Sequence, residues 1–283
     1  MTQIQDVRTR FEEIAIRPDG DIHLDEAALL ISAENDPNLD IPYFLECLDN
    51  MAKKFESIIH YNVEPAISVT SLTHFIHQGE GFTGDTQSYY DPKNSYLDKV
   101  IEHRQGIPIT LALIHISLGK RLNIAVHGMN FPGRFLVKYG RNPYTVVDPF
   151  SGRVISPENC NNLLKQMGGP KQVVKAHYFD TASNKDILVR ILDNLKQIYW
   201  KSKSWKKSKA CIERQILLKP TNGTYIVQLG VINEMQGRFQ NAQHIYTELL
   251  HQTSDEALRD VVSKRLLSIQ TIPHTKGKGK VIH

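Results

Sequence analysis

Residues 81–140, GFTGDTQSYYDPKNSYLDKVIEHRQGIPITLALIHISLGKRLNIAVHGMNFPGRFLVKYG, followed by VVDPF at 146–150, decide the fold class of this chain. Gly79, Gly81 and Gly84 break any regular pattern and mark a loop. Asn94 is placed to cap a helix carrying Leu97, Val100 and Ile101, and Gly106 ends it. Pro108 then opens a second helix through Leu111, Leu113, Ile114 and Leu118. Proline suits that first position because the N–H it lacks would have no intrahelical partner there. Three short runs with strand character follow, at 124–129, 134–139 and 144–147. Pro132-Gly133 and Gly140-Arg141-Asn142-Pro143 supply turns between them. A helix next to a small antiparallel sheet is α+β architecture.

Outward toward the N-terminus the chain reads as helices. Ile4, Val7, Phe11, Ile14 and Ala15 form one apolar stripe at helical spacing. Asp25 is expected to cap a second helix through Leu29, Leu30 and Ala33, stopped by Asn35-Asp36-Pro37. A third is expected over about 42–60, with Leu45, Leu48, Ala52, Phe55 and Ile59 on one side, and Pro65 begins a fourth. Residues 1–16 carry charges throughout, unlike a secretory signal. The most apolar stretch, 107–119, is 13 residues long and includes His115, short of the ~20 residues that span a bilayer. It reads as a buried helix.

Outward toward the C-terminus the chain is helical and repetitive. Leu195 and Leu229, Trp205 and Phe239, and Ile212 and Tyr246 are each 34 residues apart. Leu229-Gly230, Gly237, Phe239 and Ala242 follow the tetratricopeptide (TPR) pattern of large and small packing residues, and Pro220 closes the first copy. A capping helix over about 254–270 would cover the open end. The organisation expected is a helical region at 1–80, a core at 81–184, TPR-like repeats with their cap at 185–272, and a flexible basic tail at 273–283.

Charge follows the same division. Residues 1–184 hold 17 Lys and Arg against 22 Asp and Glu, and residues 185–283 hold 17 against 8, net charges of −5 and +9. An acidic partner for the last third is one reading and ordinary solvated faces the other. Cys47, Cys160 and Cys211 are odd in number, far apart and without a CxxC pair, which speaks against a disulfide scaffold and a cysteine zinc site. The compartment expected is a reducing cytoplasm.

The middle segment, with its NSYL, RQGIP and PGRFLV motifs, resembles the transglutaminase-like core of bacterial SirB-type proteins, which also carry a C-terminal TPR region. The resemblance covers most of the chain. It implies a papain-like helix-plus-antiparallel-sheet core and, in the wider fold, a Cys–His–Asp triad. Such a triad needs its cysteine at a helix N-terminus, where the dipole lowers the thiol pKa, a histidine base on one strand and an orienting acid on the next. Carried over by position, the nucleophile falls on Pro108, the base on Arg134 and the acid on Asp148. SirB-type relatives usually have histidine in the PGxFLV motif, so Arg134 departs even from them. Proline has no nucleophile and arginine stays protonated near neutral pH. Arg134 and Asp148 would instead make an ion pair if their strands are adjacent, stabilising the fold or lining a surviving pocket for a peptide, amide or carboxylate.

Other constellations are weaker. Cys160, inside an early helix, is the poor alternative nucleophile. His74 and His77 share a helical face but no third metal ligand is signposted, and His127 is a weak replacement base. KSKSWKKSK at 201–209 sets five lysines around Trp205. These would contact phosphates while Trp205 stacked on a base, yet Trp205 aligns with Phe239 and so reads as packing. No GxxxxGK[ST] or GxGxxG occurs. The expected protein is therefore a non-catalytic interaction or regulatory module without metal or cofactor, off the membrane. Its partner would be a protein or peptide of acidic character in the TPR-like groove, with Lys201, Lys203, Lys206 and Lys207 as contacts. The rivals are a residual cysteine-type acyl-transfer or amide-hydrolysing enzyme and, less favoured, nucleic-acid binding through the basic third.

Overall fold

The structure, a computed structural model, describes residues 3–58, 65–141, 143–168 and 173–271. The basic tail expected at 273–283 lies outside them. The chain divides into two compact units, Met1–Ile198 and Tyr199–His283. Among the described residues no helix is long and apolar enough to cross a membrane.

The first unit opens with α1 (Gln3–Ala15), α2 (Leu24–Ala33), α3 (Ile41–Ile58) and α4 (Pro65–His74). The apolar stripe of α1 is buried at Val7, Phe11, Ile14 and Ala15, while Ile4 remains exposed. Asp25 does not cap α2; His23 holds the cap position and Asp25 lies inside the first turn. Its carboxylate receives Arg121 Nη1 at 2.6 Å, and the same guanidinium reaches Asp49 Oδ1 at 2.6 Å through Nε. A long-range ion pair has taken the side chain that local capping would have used. One wide π-turn, Phe75–Gly79, follows α4 and carries His77.

Two short strands, β1 (Thr83–Gly84) and β2 (Gln105–Gly106), pair in parallel around α5 (Leu97–His103). Asn94 is not the cap of α5, since Tyr96 is. Asn94 is 1% exposed and donates from Nδ2 to Asp85 Oδ2 at 3.0 Å and to Ser88 O at 2.8 Å, stitching the loop before the helix. The chain leaves α5 through Arg104 at φ 58°, two residues before Gly106.

The core of this unit is α6 (Pro108–Arg121) on a sheet of four strands, β3 (Val126–Phe131), β4 (Arg134–Tyr139), β5 (Thr145–Asp148) and β6 (Arg153–Ile155). All three pairings are antiparallel and follow chain order, with Val137 opposite Met129's neighbour Gly128 on one side and Val147 on the other. β6 had no counterpart among the expected strands; a three-residue edge strand carries too little alternation to read. Helix α6 starts at Pro108, as its sequence dictates. The Thr110 hydroxyl accepts the Ile107 N–H at 3.2 Å and donates to Asn94 O at 2.7 Å, tying the helix start to the loop. Phe135, Leu136 and Val137 are all buried, because both faces of β4 are covered. Met129, Phe131, Leu136 and Val146 pack with Cys160 and Leu164 of α7 (Pro157–Gly168). Helix α8 (Asn184–Lys201) follows, its first N–H groups at Asn184 and Lys185 bonded to the Asp19 carboxylate at 2.9 Å each. That carboxylate complements the positive end of the helix.

In the second unit α9 (Trp205–Leu218), α10 (Gly223–Met235), α11 (Phe239–Gln252) and α12 (Glu256–Gln270) pack in succession. Helices α9 and α11 begin and end 34 residues apart, at 205 and 239, and at 218 and 252. Gly230 lies under Tyr246: a β-carbon there would sit 2.2 Å from the ring. Asp255 caps α12 by accepting the Leu258 N–H at 3.1 Å. Ala242, Tyr246, Leu249, Val262 and Ile269 form one hydrophobic cluster of this unit. Trp205 is half-buried and meets Trp200 edge-on at 5.7 Å, so its ring is not fully enclosed.

Candidate functional site

The positions singled out on α6, β4 and β5 separate into a polar pair and an apolar residue. The register that sets Val137 opposite Val147 places Asp148 diagonally across from Arg134. Arg134 donates to Asp148 in the two-pronged manner of a guanidinium–carboxylate pair, Nη2 to Oδ2 at 2.7 Å and Nε to Oδ1 at 3.1 Å. Asp148 also accepts the Phe150 N–H at 3.1 Å and the Ser151 hydroxyl at 2.7 Å. With four donors on one buried carboxylate, its lone pairs are committed to the protein itself. The Arg134 guanidinium stacks 5.5 Å over the Phe150 ring, and Tyr89 meets the same ring at 6.1 Å. Burial pushes the Tyr89 phenol up, aided by Tyr90, against the opposing pull of the Arg190 and Arg134 cations. Pro108 is buried at the start of α6 and contributes no polar atom to this cluster.

Beside the pair lies an arrangement that sequence reading missed. His77 Nε2 is 3.1 Å from Nε2 of His115, which is wholly buried in the middle of α6. His77 Nδ1 is 2.8 Å from Phe82 O, and His115 Nδ1 is 2.5 Å from the Tyr139 hydroxyl on β4. Burial, and then the neighbouring His77, push His115 well below the usual histidine range. Burial also lowers His77, opposed by the Phe82 carbonyl and the Asp148 charge. Burial pushes the Tyr139 phenol upward. The available signal was a lone histidine in the apolar run 107–119. Its partner 38 residues earlier was not legible, because nothing local links them.

The remaining candidates are dispersed. His74 is exposed while His77 turns inward, so the expected shared face is not used as one. Among the described residues no three His, Cys, Asp or Glu side chains gather where they could hold a metal ion. His127 is half-buried and lines a cleft of about 360 Å³ with Asp19, Ile116, Thr181, Asn184 and Ile187. Burial, with Lys138 and Arg141 nearby, lowers its pKa. Cys160 is buried and its thiol is pushed up by that burial, Cys211 is buried, and Cys47 is half-buried. Lys201, Lys203, Lys206 and Lys207 are exposed, with Lys207 Nζ 5.2 Å over the Tyr199 ring.

A buried helix on a small antiparallel sheet, with Arg134 and Asp148 side by side on neighbouring strands, is an α+β framework of the transglutaminase-like class. Sequence comparison agrees, matching residues 43–193 to the transglutaminase-like superfamily. The chain belongs to that superfamily and, within it, to the bacterial UPF0162 proteins. It is 30% identical over 249 residues to the UPF0162 protein of Xylella fastidiosa strain 9a5c, covering 85% of this chain and 87% of that one. A UPF0162 protein of Pseudomonas aeruginosa is 33% identical over 174 residues, 62% and 64% of the two chains. A more distant relative is the human F-box only protein 21, 27% identical over 124 residues, or 40% of this chain and 19% of that protein. No solved structure matches the chain.

Proposed function

We propose that this chain is a SirB-type protein whose transglutaminase-like core is non-catalytic and which acts as a protein-interaction or regulatory module. The observation that carries this reading is Arg134, held by Asp148 through two hydrogen bonds where the triad's base is expected. A guanidinium remains protonated and cannot take a proton from a nucleophile, and Pro108 offers none. Cys160 is a poor substitute: burial raises its thiol, whereas a reactive cysteine needs the thiolate.

The partner surface in this reading is the second unit, as a TPR-like groove. Support comes from the matched 34-residue offset of α9 and α11 and from the small-against-large contact of Gly230 with Tyr246. The net charge of +9 over 185–283 favours an acidic protein or peptide. The experiment is a pull-down with the full chain and with Lys201, Lys203, Lys206 and Lys207 all changed to Glu. Charge reversal should weaken partner capture and lower the melting temperature only by what local contacts such as Lys207 over the Tyr199 ring contribute. Rising salt should do the same, mainly through slower association, since attraction is screened beyond ~8 Å at physiological ionic strength. Equal capture by both proteins would make the lysines a solvated face and end this reading. Cysteine-dependent deamidation or transamidation of a glutamine peptide by the wild-type chain would end its non-catalytic half.

A further inference from the structure

The hydrogen-bond chain through His77, His115 and Tyr139 has only one neutral proton arrangement. Phe82 O can only accept, so His77 Nδ1 carries a hydrogen and donates at 2.8 Å. A neutral imidazole has one N–H, so His77 Nε2 presents a lone pair. His115 must then donate from Nε2 across the 3.1 Å gap, leaving its Nδ1 to accept the Tyr139 hydroxyl proton at 2.5 Å. All the ring nitrogens are thus used, and the chain runs from a fully buried tyrosine on β4 through α6 to a half-buried ring.

The outer end of this chain touches the Arg134–Asp148 cluster. The His77 ring packs on Gly152: a β-carbon there would lie 2.6 Å from it, and Gly152 adopts φ 68°, which side chains rarely tolerate. The Gly152 N–H donates to Asp148 O at 2.8 Å, closing the turn that carries Phe150 and Ser151 to the Asp148 carboxylate. Gly84 N–H in turn donates to Phe150 O at 3.0 Å.

We propose that the His77–His115–Tyr139 chain is a proton-operated latch on the 148–152 turn. A proton from solvent has one lone pair to occupy, His77 Nε2. Once there it sets two N–H groups head to head, His77 Nε2–H against His115 Nε2–H, and the bond between the rings breaks. Passing the proton inward would bury a cation on His115, which costs far more. The charged ring therefore moves toward water, and the Gly152 turn loses the surface it packs on. The groups facing His77 are His115 on α6, with Tyr139 behind it, and Asp148 at the end of β5, itself paired with Arg134. On its own side, His74 is exposed and Glu80 is engaged by Lys54 and Arg104. Asp148 attracts the new charge and burial opposes it, and burial is the larger influence. A metal held between the rings is the competing explanation of their approach. It would have two protein ligands, because no third His, Cys, Asp or Glu joins them among the described residues.

The sign follows from that lowered histidine. Its neutral form is favoured in the closed state, so closure is most stable above the opened-state pKa of ~6.5 and weakens as pH falls through it. Hydrogen exchange of the full chain, corrected for intrinsic rates, reads this directly. Protection of the Phe150, Gly152 and Gly84 amides should fall up to about fivefold between pH 6.5 and 5.5, above the range where carboxylates titrate. The β3–β4 amides should hold. In His77→Phe the step should vanish. Independently of whether that variant folds, 15N-histidine spectra of the wild type at pH 8 should show His77 as the Nδ1–H tautomer and His115 as Nε2–H, unchanged by chelator. Constant protection across that range, the same step in folded His77→Phe, the opposite tautomers, or one chelator-removable metal ion per chain would each overturn the latch.

Discussion

Changing Asp148 to asparagine tests the cluster at its most connected atom pair. The wild-type carboxylate accepts from Arg134 Nη2 and Nε, from the Ser151 hydroxyl and from the Phe150 N–H. Asparagine keeps one accepting oxygen and turns the other position into a donor. Two of four donors then face an N–H, and the Arg134 charge loses its counter-ion. Hydrogen bonds to charged groups contribute about 1.5–3 kcal/mol net, and a stranded donor costs about 1–3 kcal/mol. The Arg134 side chain is 28% exposed, however, so it can recover part of its hydration. The expected loss is therefore about 2–3 kcal/mol of unfolding free energy, below the about 3–5 kcal/mol of a fully buried pair. Urea unfolding of wild type, Asp148→Asn, Arg134→Leu and the double variant forms the cycle. Removing the guanidinium as well takes away the stranded charge, so the double variant should recover part of the loss, with a coupling of about 1–2 kcal/mol. Additivity within about 0.5 kcal/mol would show that the two side chains do not depend on each other and refute the argument.

Gly230→Ala should cost about 1–3 kcal/mol in thermal melts, because its new carbon meets the Tyr246 ring at 2.2 Å; an unchanged melting temperature would mean α10 and α11 can separate freely. Iodoacetamide on the native protein should label half-buried Cys47 ahead of buried Cys160 and Cys211, and rapid labelling of Cys160 at neutral pH would revive a cysteine enzyme. With all three cysteines changed to Ser, function should survive wherever the fold does, and its loss in a folded triple variant would contradict the non-catalytic reading. Trp205→Ala should destabilise by about 1–3 kcal/mol, less than removal of a fully enclosed aromatic, since this ring is half-buried; a value near 5 kcal/mol would mean that the ring is packed as tightly as a fully buried one.

What this chain's sequence determined by itself is what a few neighbouring residues encode. Pro108 and the apolar run behind it start and bury α6, because a proline at the first helical position and an unbroken apolar stretch act locally. The strand at Arg134–Tyr139 was legible with its bounds, and the 34-residue spacing foretold the matched limits of α9 and α11. Strands β3 and β5 came out shifted by one or two residues, since pairing and not composition ends a strand. Only the tertiary structure decided where polar side chains found their partners. Asp25 and Asn94 have capping chemistry, but Arg121 lies 96 residues from Asp25 and Asp85 lies 9 from Asn94, and those bonds outcompete a local cap. The pair of Arg134 with Asp148 could be suggested from sequence, yet its two-pronged geometry needed the register of β4 against β5. His77 and His115 meet because the wide turn after α4 brings His77 against the middle of α6. Such contacts carry no local signature, since a buried donor seeks whatever acceptor the packing of distant segments brings within 3 Å or so.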